Sequence, residues 1–376
     1  MQPLVPSPSS LLLDAFERQE QQFASAFTVL RDAIAQCAFS AASFAVTHRD
    51  RLSALKTFGR FTDEPNSPQV HPSTLFDLAS LTKVVATTTM AMKLYERGLL
   101  DPDAPITAIV PEFLSEAAKD SRRRAVTLRM LLAHSSGLPA YEKLFLKAKT
   151  RDELLRAVLT VPLAGDPSVR AEYSDIGFIL LGTALERIAD ESIDRFCQRE
   201  IFAPLAMANT TFNPPAELRA KIPPTADDRI FRYKIIEGEV QDENAFALGG
   251  VAAHAGLFST ARDLAQFAHA MLNGGQPILR PETVALFTRR ELTPVGTSRA
   301  LGWDTPSAPS QSGKYFSPGS FGHLGYTGTS LWIDPVRKIS ITLLTNRTWP
   351  DCSNQAIKQV RPRFHDAVME ALEKWK

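Results

Sequence analysis

Apolar side chains recur at helical spacing in several separate stretches of the chain. One face of a long helix near the start is marked by Phe16, Phe23, Phe27, Leu30 and Ile34. Further helices are predicted at 81–97, 127–134, 151–159, 174–189, 260–272 and 354–375. Boundary residues agree with the spacing, because Gly98 stands where a helix would end and Thr150 with Glu153 forms a capping-box pattern where one would begin.

Two other stretches have the composition of β-hairpins. Residues 43–60 form two short runs around a polar turn at 48–51, and residues 329–346 form two β-rich runs around 334–338. Strands therefore lie near both ends of the chain and helices lie between them. This order predicts an α/β (α+β) fold, with a sheet domain built from residues 1–90 and 250–376 and a mostly helical domain inserted at 91–249.

Two long stretches lack either pattern and are rich in loop-forming residues. They are residues 213–245 and 304–320, both with several prolines. Loops of this length inside a compact fold commonly cover a functional site. We predict that both are flaps over such a site.

The composition is that of a globular protein without a polyanionic partner. Apolar residues make up 44% of the chain, charged residues 22%, and the formal net charge is +1. The basic run at 122–124 has no interleaved aromatic residues, so we expect no nucleic-acid partner. Cys37, Cys197 and Cys352 are odd in number and far apart, which predicts reduced thiols rather than disulfides or a zinc site.

The sequence shows no recognisable signal for secretion or membrane insertion. The first 19 residues have no lysine or arginine before a short apolar run, which then meets Asp14, so they fail as a secretory signal. No stretch approaches the roughly 18 apolar residues that a membrane-spanning helix needs. We expect a cytoplasmic protein with no membrane partner, or a periplasmic one if a leader has been removed.

Two pairs in the chain match the pattern S-x-x-K, in which a lysine can activate a serine. Residues three apart on a strand point to opposite faces, whereas on the first turn of a helix they share a face. Ser53 and Lys56 lie in a predicted strand and diverge, while Ser80 and Lys83 lie where a helix begins and converge. The helix start also supplies N–H groups for a developing oxyanion. The pattern alone still leaves open a surface serine beside a surface lysine.

Other catalytic and cofactor motifs are absent from the sequence. The chain contains no G-x-S-x-G, H-E-x-x-H, G-x-x-x-x-G-K-[ST] or dinucleotide fingerprint. The acidic run at 242–244 could hold a metal, but neither a histidine nor a third carboxylate stands at ligand spacing, so a loop cap is the favoured interpretation. We therefore predict neither a cofactor nor a metal.

Three short segments together resemble one known family. In chain order they are Ser80-Leu81-Thr82-Lys83, Tyr173-Ser174-Asp175 and His323-Leu324-Gly325. They resemble the three active-site elements of the serine β-lactamase and penicillin-binding-protein superfamily, in the branch of class C β-lactamases, D-alanyl-D-alanine carboxypeptidases and family VIII esterases. Further similar segments are MLLAHSSGLP at 130–139, DENAFALGGVAAHAGLFST at 242–260, LGWDT at 301–305 and GYTGTSLWIDP at 325–335.

The resemblance implies a role for each matching position. Ser80 corresponds to the acylated nucleophile, Lys83 to the lysine that hydrogen-bonds it, and Tyr173 to the tyrosine that moves the proton. A phenol can do so only if a cation stabilises its phenolate, so Lys83 and Tyr173 should titrate as a unit. The N–H groups of Ser80 and Tyr326 would form the oxyanion hole. The family's fold, β-lactamase/transpeptidase-like, would place the active site between the two domains.

The remaining matches concern the substrate-binding wall. The resemblance places Asp175, His323 and Gly325 there, and Trp303 either in an acyl pocket or, as we favour, in the core. We interpret His254-Ala255-Gly256 as structural and near the inner wall of the site. For His134, at a predicted helix end, the favoured interpretation is a helix cap.

Departures from the antibiotic-hydrolysing pattern indicate the substrate class. Asp175 replaces the usual asparagine, and an ionised carboxylate cannot donate a hydrogen bond to an acyl-amide carbonyl. Leu324 replaces a hydroxyl residue that commonly contacts a substrate carboxylate. His323 replaces a lysine and is neutral for much of the time near neutral pH. The changes at His323 and Leu324 both weaken the attraction of the site for a substrate carboxylate.

The leading hypothesis is a serine carboxylesterase that acts on small neutral esters through an acyl-enzyme on Ser80, with allowance for weak β-lactamase activity. The alternatives are a class C-like β-lactamase, a D-alanyl-D-alanine carboxypeptidase or a D-aminopeptidase. A non-catalytic scaffold of the same fold is a further alternative, against which the intact Ser80, Lys83 and Tyr173 argue. The partner would be a small-molecule ester or a β-lactam-like compound, and the sequence does not predict an oligomeric state.

Overall fold

The computed structural model describes residues 12–114 and 119–374. The predictions made on the first eleven residues and on Trp375 lie outside the described residues. Among the described residues, no helix combines the length and apolar character needed to cross a membrane.

Strands in the described residues form three sheets. They are β1 (Leu13–Asp14), β2 (Ala41–His48), β3 (Arg51–Gly59), β4 (Phe76–Asp77), β5 (Thr211–Phe212), β6 (Ala226–Asp228), β7 (Lys234–Ile236), β8 (Leu257–Ser259), β9 (Phe321–Leu324), β10 (Ser330–Asp334) and β11 (Ile339–Thr345). The main sheet has the order β1-β3-β2-β11-β10-β9, and all its pairs are antiparallel except β1 with β3. Two small sheets have the orders β4-β8-β5 and β6-β7.

Both predicted hairpins are confirmed. In the first, β2 and β3 pair around Arg49 and Asp50, whose φ angles of 49° and 64° are those of a tight two-residue turn. In the second, β10 pairs with β11 from Ser330 opposite Leu343 to Asp334 opposite Ile339. Because β2 pairs with β11, the two ends of the chain build one sheet.

The α-helices lie mostly between these hairpins in sequence. They are α1 (Gln19–Gln22), α2 (Ala24–Ala35), α3 (Thr89–Glu96), α4 (Leu128–Leu132), α5 (Arg151–Thr160), α6 (Asp175–Ala189), α7 (Ile193–Cys197), α8 (Ala216–Arg219), α9 (Glu243–Ala247), α10 (Ala261–Leu272), α11 (Pro281–Thr288) and α12 (Ile357–Lys374). Shorter 3₁₀ turns occupy Ala79–Leu81, Ile106–Ala108, Pro111–Leu114, Ser121–Ala125 and Leu144–Leu146. Two π-helical turns occupy Lys83–Thr88 and Gln198–Phe202.

Helices cover both faces of the main sheet. On one face, α2 and α12 bury an aromatic cluster in which Phe44 lies 5.7 Å from Phe27 and 5.2 Å from Phe364, measured between ring centroids. On the other face, α10 packs on β2, β10 and β11. The predicted α/β (α+β) fold, an antiparallel sheet flanked by helices, is therefore confirmed. The domain division at 90 and 250 stays a prediction.

Two helix predictions were wrong in detail, and some short helices were not predicted. The first helix is interrupted at Phe23, and Phe16 precedes α1, because the chain before it turns to pair Leu13 with Arg51 as part of the sheet. The predicted helix at 81–97 instead passes from a 3₁₀ turn through a π-helical turn into α3. The segments that form α7 and α11 were not predicted as helices, since each is too short for a clear periodic pattern.

Candidate active site

A strained turn presents Ser80 at the end of β4. Ala79, directly before Ser80, has a φ of 47°, in the left-handed region that residues other than glycine rarely adopt. The Asp77 carboxylate holds this turn, because its Oδ1 accepts the Ala79 N–H at 2.8 Å and its Oδ2 accepts the Gln241 N–H at 2.6 Å. From the segment just before β10, the Thr329 hydroxyl donates to the Leu78 carbonyl at 2.9 Å. The serine is thus fixed before any substrate arrives.

Lys83 lies beneath Ser80 and is fully buried. Its Nζ donates to the Ser80 Oγ at 2.9 Å, to the Asp175 Oδ1 at 2.6 Å and to the His254 carbonyl at 2.9 Å. An ammonium group has three donors, so every one of them is used. The structure therefore brings together Ser80 and Lys83, as the sequence predicted from their convergence on one helix face.

Tyr173 contacts the same serine and also lies close to Lys83, whose Nζ is 4.9 Å from the centroid of its ring. Its hydroxyl donates to the Ser80 Oγ at 2.6 Å. The ring is held by His134, whose centroid lies 4.6 Å away and whose Nδ1 accepts the Ser174 N–H at 3.0 Å. Ser174 in turn caps α6 through the Gly177 N–H. A helix start and a buried histidine together orient the phenol toward the serine.

The charges in the site follow from burial and from one carboxylate. Burial lowers the pKa of Lys83, but Asp175 and then Tyr173 outweigh it, so that the pKa of Lys83 lies above its ordinary value. Burial, and next Asp175, raise the pKa of Tyr173 to about 12, although Lys83 opposes them. Near neutral pH the resting site accordingly holds an ammonium group and a neutral phenol. The joint titration of Lys83 and Tyr173 stays a prediction.

The predicted oxyanion hole has the required free donors. Among the described residues, neither the N–H of Ser80 nor that of Tyr326 donates to a backbone or side-chain acceptor. Gly325 explains how the two segments come so close, because a Cβ there would lie 1.9 Å from the Thr329 Oγ1 and 2.5 Å from the Leu78 carbonyl oxygen. Gly325 is therefore required for packing, whether or not it also contacts a substrate.

His323 lies on β9 as a buried, neutral side chain. Its Nδ1 donates to the Leu324 carbonyl at 2.8 Å, so its Nε2 carries a lone pair. Burial, followed by the charges of Lys83 and Arg299, keeps the pKa of His323 well below its ordinary value. Within the described part of the chain the Nε2 has no partner. His323 thus offers the site a hydrogen-bond acceptor rather than a positive charge.

These side chains share one cleft of about 1110 Å³. Its lining includes Ser80, Tyr173, Asp175, His323, Leu324 and Tyr326. Of the predicted flaps, the stretch at 213–245 contributes residues 226–232 and 241–243, whereas the stretch at 304–320 contributes Asp304 alone. The first flap borders the site as predicted, and the second does so only at its beginning.

Trp303 lies outside the cleft, in the core, as the favoured interpretation had it. It is fully buried, with ring centroids 4.9 Å from Phe321 and 6.4 Å from Phe267, so it cannot contact a substrate. The assignment of Trp303 to substrate binding is corrected accordingly. Large aromatic residues close beside a motif are more often buried for packing than exposed for binding.

Asp242 and His254 form the inner wall of the cleft. Asp242 caps α9 through the Ala245 N–H, and its Oδ1 lies 2.8 Å from the His254 Nε2. The second S-x-x-K pair stays apart from this wall, since Lys56 pairs with Glu20 on the surface of the sheet. These placements agree with a loop cap at Asp242 and a structural His254.

Sequence reasoning missed two residues of the site and misjudged a third. Asp77 and Arg299 carry no recognisable motif, although Arg299 stands just before LGWDT. His134 was interpreted as a helix cap, but its side chain contacts Tyr173 and Ser174, which follow it by about 40 residues in sequence. Nothing local to His134 in the sequence signals these long-range contacts.

Comparisons with known proteins support the same family. A family model described as Beta-lactamase matches residues 16–360. A putative D-alanyl-D-alanine carboxypeptidase of Escherichia coli K12 is 34% identical over 303 residues, which cover 73% of this chain and 69% of the relative. An N-acetylmuramyl-L-alanine amidase of Bacillus subtilis 168 is 33% identical over 303 residues, with 73% and 68% covered.

Solved structures share the fold at lower identity. EstCE1, a hydrolase with promiscuous acyltransferase activity, is 22% identical with a TM-score of 0.76, covering 93% of this chain and 99% of its own. A penicillin-binding protein homologue from Caulobacter crescentus is 19% identical with a TM-score of 0.74, covering 93% and 98%. The predicted superfamily is confirmed, and the chain belongs to the β-lactamase family of serine hydrolases.

Proposed function

We propose that the protein is a serine carboxylesterase that forms an acyl-enzyme on Ser80. The observation that carries this proposal is the pairing of Asp175 with Lys83 at 2.6 Å. An asparagine at this position would keep an amide N–H for the acyl-amide of a peptide or penicillin, whereas the Asp175 carboxylate is engaged with the lysine and has no hydrogen to donate. An ester lacking that amide loses nothing at this position.

The proton path follows from the charges of the resting site. The Tyr173 phenol first loses its proton to water. Lys83 remains an ammonium throughout and stabilises the resulting phenolate, which is the form able to accept the proton of Ser80, 2.6 Å away. As the Ser80 Oγ bonds to the carbonyl carbon, the carbonyl oxygen gains negative charge beside the N–H groups of Ser80 and Tyr326. The Tyr173 phenol then protonates the departing alcohol, and the ester C–O bond breaks.

Deacylation repeats these steps with water. Tyr173, again a phenolate, takes a proton from a water molecule that attacks the acyl carbon. The C–O bond to Ser80 breaks, and the serine recovers its proton from the phenol. The acid leaves with Lys83 unchanged in charge and Tyr173 as a phenolate, which regains a proton from water to restore the neutral phenol of the resting site.

The second candidate is a D-alanyl-D-alanine carboxypeptidase. It is favoured by the name of the relative from Escherichia coli that shares 34% identity. Against it stands the lack of an amide donor at Asp175. The cytoplasmic location expected from the sequence is part of the esterase proposal.

The test compares three substrates on the intact protein. Wild type and Ser80→Ala are mixed with p-nitrophenyl butyrate, with a penicillin, and with a peptide ending in D-alanyl-D-alanine, and adducts are followed by mass spectrometry beside product release. We expect fast ester turnover that requires Ser80. Fast cleavage of the peptide or the penicillin would overturn the esterase assignment, and no adduct or product from any substrate would favour a scaffold.

A further inference from the structure

Arg299 reaches into the active-site cleft with its hydrogen-bond donors unused. Its Cζ lies 5.5 Å from the centroid of the Tyr173 ring, and its side chain is 21% exposed. A guanidinium carries five N–H donors. Across residues 12–114 and 119–374, none of them makes a hydrogen bond, and the only carboxylate contact is Asp304 at 3.7 Å.

Asp304 balances part of this charge without occupying the donors. Its Oδ1 accepts hydrogen bonds from the Ser298 hydroxyl at 2.7 Å and from the Thr305 N–H at 3.0 Å, so its own loop holds the carboxylate in place. The distance of 3.7 Å from the Asp304 Oδ2 to Arg299 is too long for a hydrogen bond. Backbone bridges from Arg299 to Asp304 and from Asp304 to Gly322 hold this segment beside β9.

The other groups around Arg299 cannot neutralise it. Burial and nearby positive charge, that of Arg299 included, keep the pKa values of His134 and His323 well below their ordinary values. Tyr173 is a neutral phenol at rest, and the Asp175 carboxylate is engaged with Lys83. The cation at the cleft therefore lacks a protein anion with which to form a hydrogen-bonded pair.

We propose that Arg299 binds a carboxylate of the substrate, and that this carboxylate belongs to the alcohol part of the ester. The inference rests on the proposed esterase function. A guanidinium with free donors matches the two oxygens of a carboxylate. Tyr173 delivers the proton to the leaving alcohol, so the alcohol departs past the ring that Arg299 covers. The acyl group needs no charge at this position.

Arg299 changes the substrate class that is expected from the sequence. The expectation of a neutral ester rested on His323 and Leu324, which together lack the charge and the hydroxyl of the usual carboxylate grip. Arg299 supplies a positive charge from a different segment of the chain. The substrate class becomes an ester whose leaving alcohol carries a carboxylate.

The test uses two esters of the same acid, one whose leaving phenol carries a free carboxylate and one in which that carboxylate is masked as a methyl ester. They are 4-(butyryloxy)benzoate and its methyl ester, and the measured quantity is the ratio of their kcat/KM values in wild type, Arg299→Gln and Arg299→Lys. We expect the Gln variant to lower the ratio about tenfold to hundredfold, as for the loss of hydrogen bonds between charged groups. Arg299→Lys should show a ratio between those of wild type and Arg299→Gln, since lysine keeps the charge but not the planar arrangement of donors.

Arg229→Gln is the matched control. Arg229 lines the same cleft but lies on the flap and pairs with Asp227, so its loss changes the net charge equally without touching Tyr173. We expect it to leave the ratio as in wild type. An equal fall in Arg229→Gln would assign the effect to general electrostatics and overturn the proposal. An unchanged ratio in Arg299→Gln would do the same.

Two further measurements test separately the assignment of the carboxylate to the alcohol and the esterase function itself. Phenyl hydrogen succinate carries its carboxylate on the acyl side, and a larger effect of Arg299→Gln on this ester would overturn the assignment to the alcohol. Binding of 4-hydroxybenzoate to Ser80→Ala, with and without Arg299→Gln, is measured by calorimetry and needs no turnover. Binding that depends on Arg299 in a protein that hydrolyses no ester would retain the anion site and reject the esterase function.

Discussion

The Asp175 carboxylate lies 2.6 Å from the Lys83 ammonium, at the base of the cleft and 92 residues away in sequence. Burial raises the pKa of Tyr173 and lowers that of Lys83, and Asp175 raises both, so that each pKa lies above its ordinary value. A lysine held as an ammonium cannot accept the serine proton. The pairing therefore supports the proposal that Tyr173 is the base and that Lys83 acts as its electrostatic partner.

Asp175→Asn should shift the pH profile of ester hydrolysis to lower pH. Removing the carboxylate removes a cause that raises the pKa of Tyr173, so the phenolate forms at lower pH, and the pKa of Lys83 falls as well. The profile of kcat/KM for ethyl butyrate, followed in a pH-stat, measures the shift. Asp351→Asn, which removes an exposed carboxylate from the same cleft, is the control and should leave the profile in place. Superimposable profiles for wild type and Asp175→Asn would contradict the assignment.

Tyr173→Phe should lower kcat for esters by about 10²–10⁴-fold with a smaller change in KM, the range typical for loss of a general base. The phenyl ring keeps the packing against His134, so the fold should survive, as a thermal melt would show. The rise of kcat/KM with increasing pH, which reflects formation of the Tyr173 phenolate, should also disappear. A variant that retains most of its kcat would show that another group takes the Ser80 proton.

His134→Phe should reduce both stability and turnover. The ring contact with Tyr173 is kept, but the buried Ser174 N–H loses its acceptor, which costs about 1–3 kcal/mol of unfolding free energy. Urea unfolding measures this loss. Because the phenol is then less well oriented, kcat should fall more than KM rises. Loss of stability with unchanged kcat would limit His134 to a structural role.

Asp77 should make stability depend on pH in the acid range. Burial raises the pKa of Asp77 from 3.8 to about 6, so between these values the folded protein binds more protons than the unfolded chain. The stabilisation is complete below pH 3.8 and is lost as the pH rises through about 6. At about 1.4 kcal/mol per pKa unit, the loss amounts to about 3 kcal/mol.

Asp77→Asn isolates this effect. The asparagine leaves one of two buried N–H groups without an acceptor, but that cost is the same at every pH and cancels in the comparison. Unfolding free energies of wild type and variant, measured between about pH 4 and pH 7, should converge at the high end, because wild type alone loses stability there. Parallel curves would contradict the raised pKa.

Local sequence patterns predicted much of the secondary structure. Alternation and turn residues predicted both hairpins, and helical spacing predicted most of the longer helices, because these elements depend on neighbours within a few residues. The convergence of Ser80 and Lys83 is likewise a property of one helical turn. Where the pattern failed, as at Phe23 and in the π-helical turn after Lys83, packing against distant parts of the chain overrode local preference.

The sequence by itself determined the family and the two residues that contact Ser80, namely Lys83 and Tyr173, since each is written in a short contiguous motif. It also determined the order of the two hairpins and most of the longer helices. Only the tertiary structure decided that Asp175 pairs with Lys83, that His134 orients Tyr173, that Trp303 is core and that Arg299 enters the cleft. The physical reason is that charge, burial and the supply of hydrogen-bond partners depend on distances through space. Residues such as Lys83 and Asp175 are far apart along the chain, and only folding places them in contact.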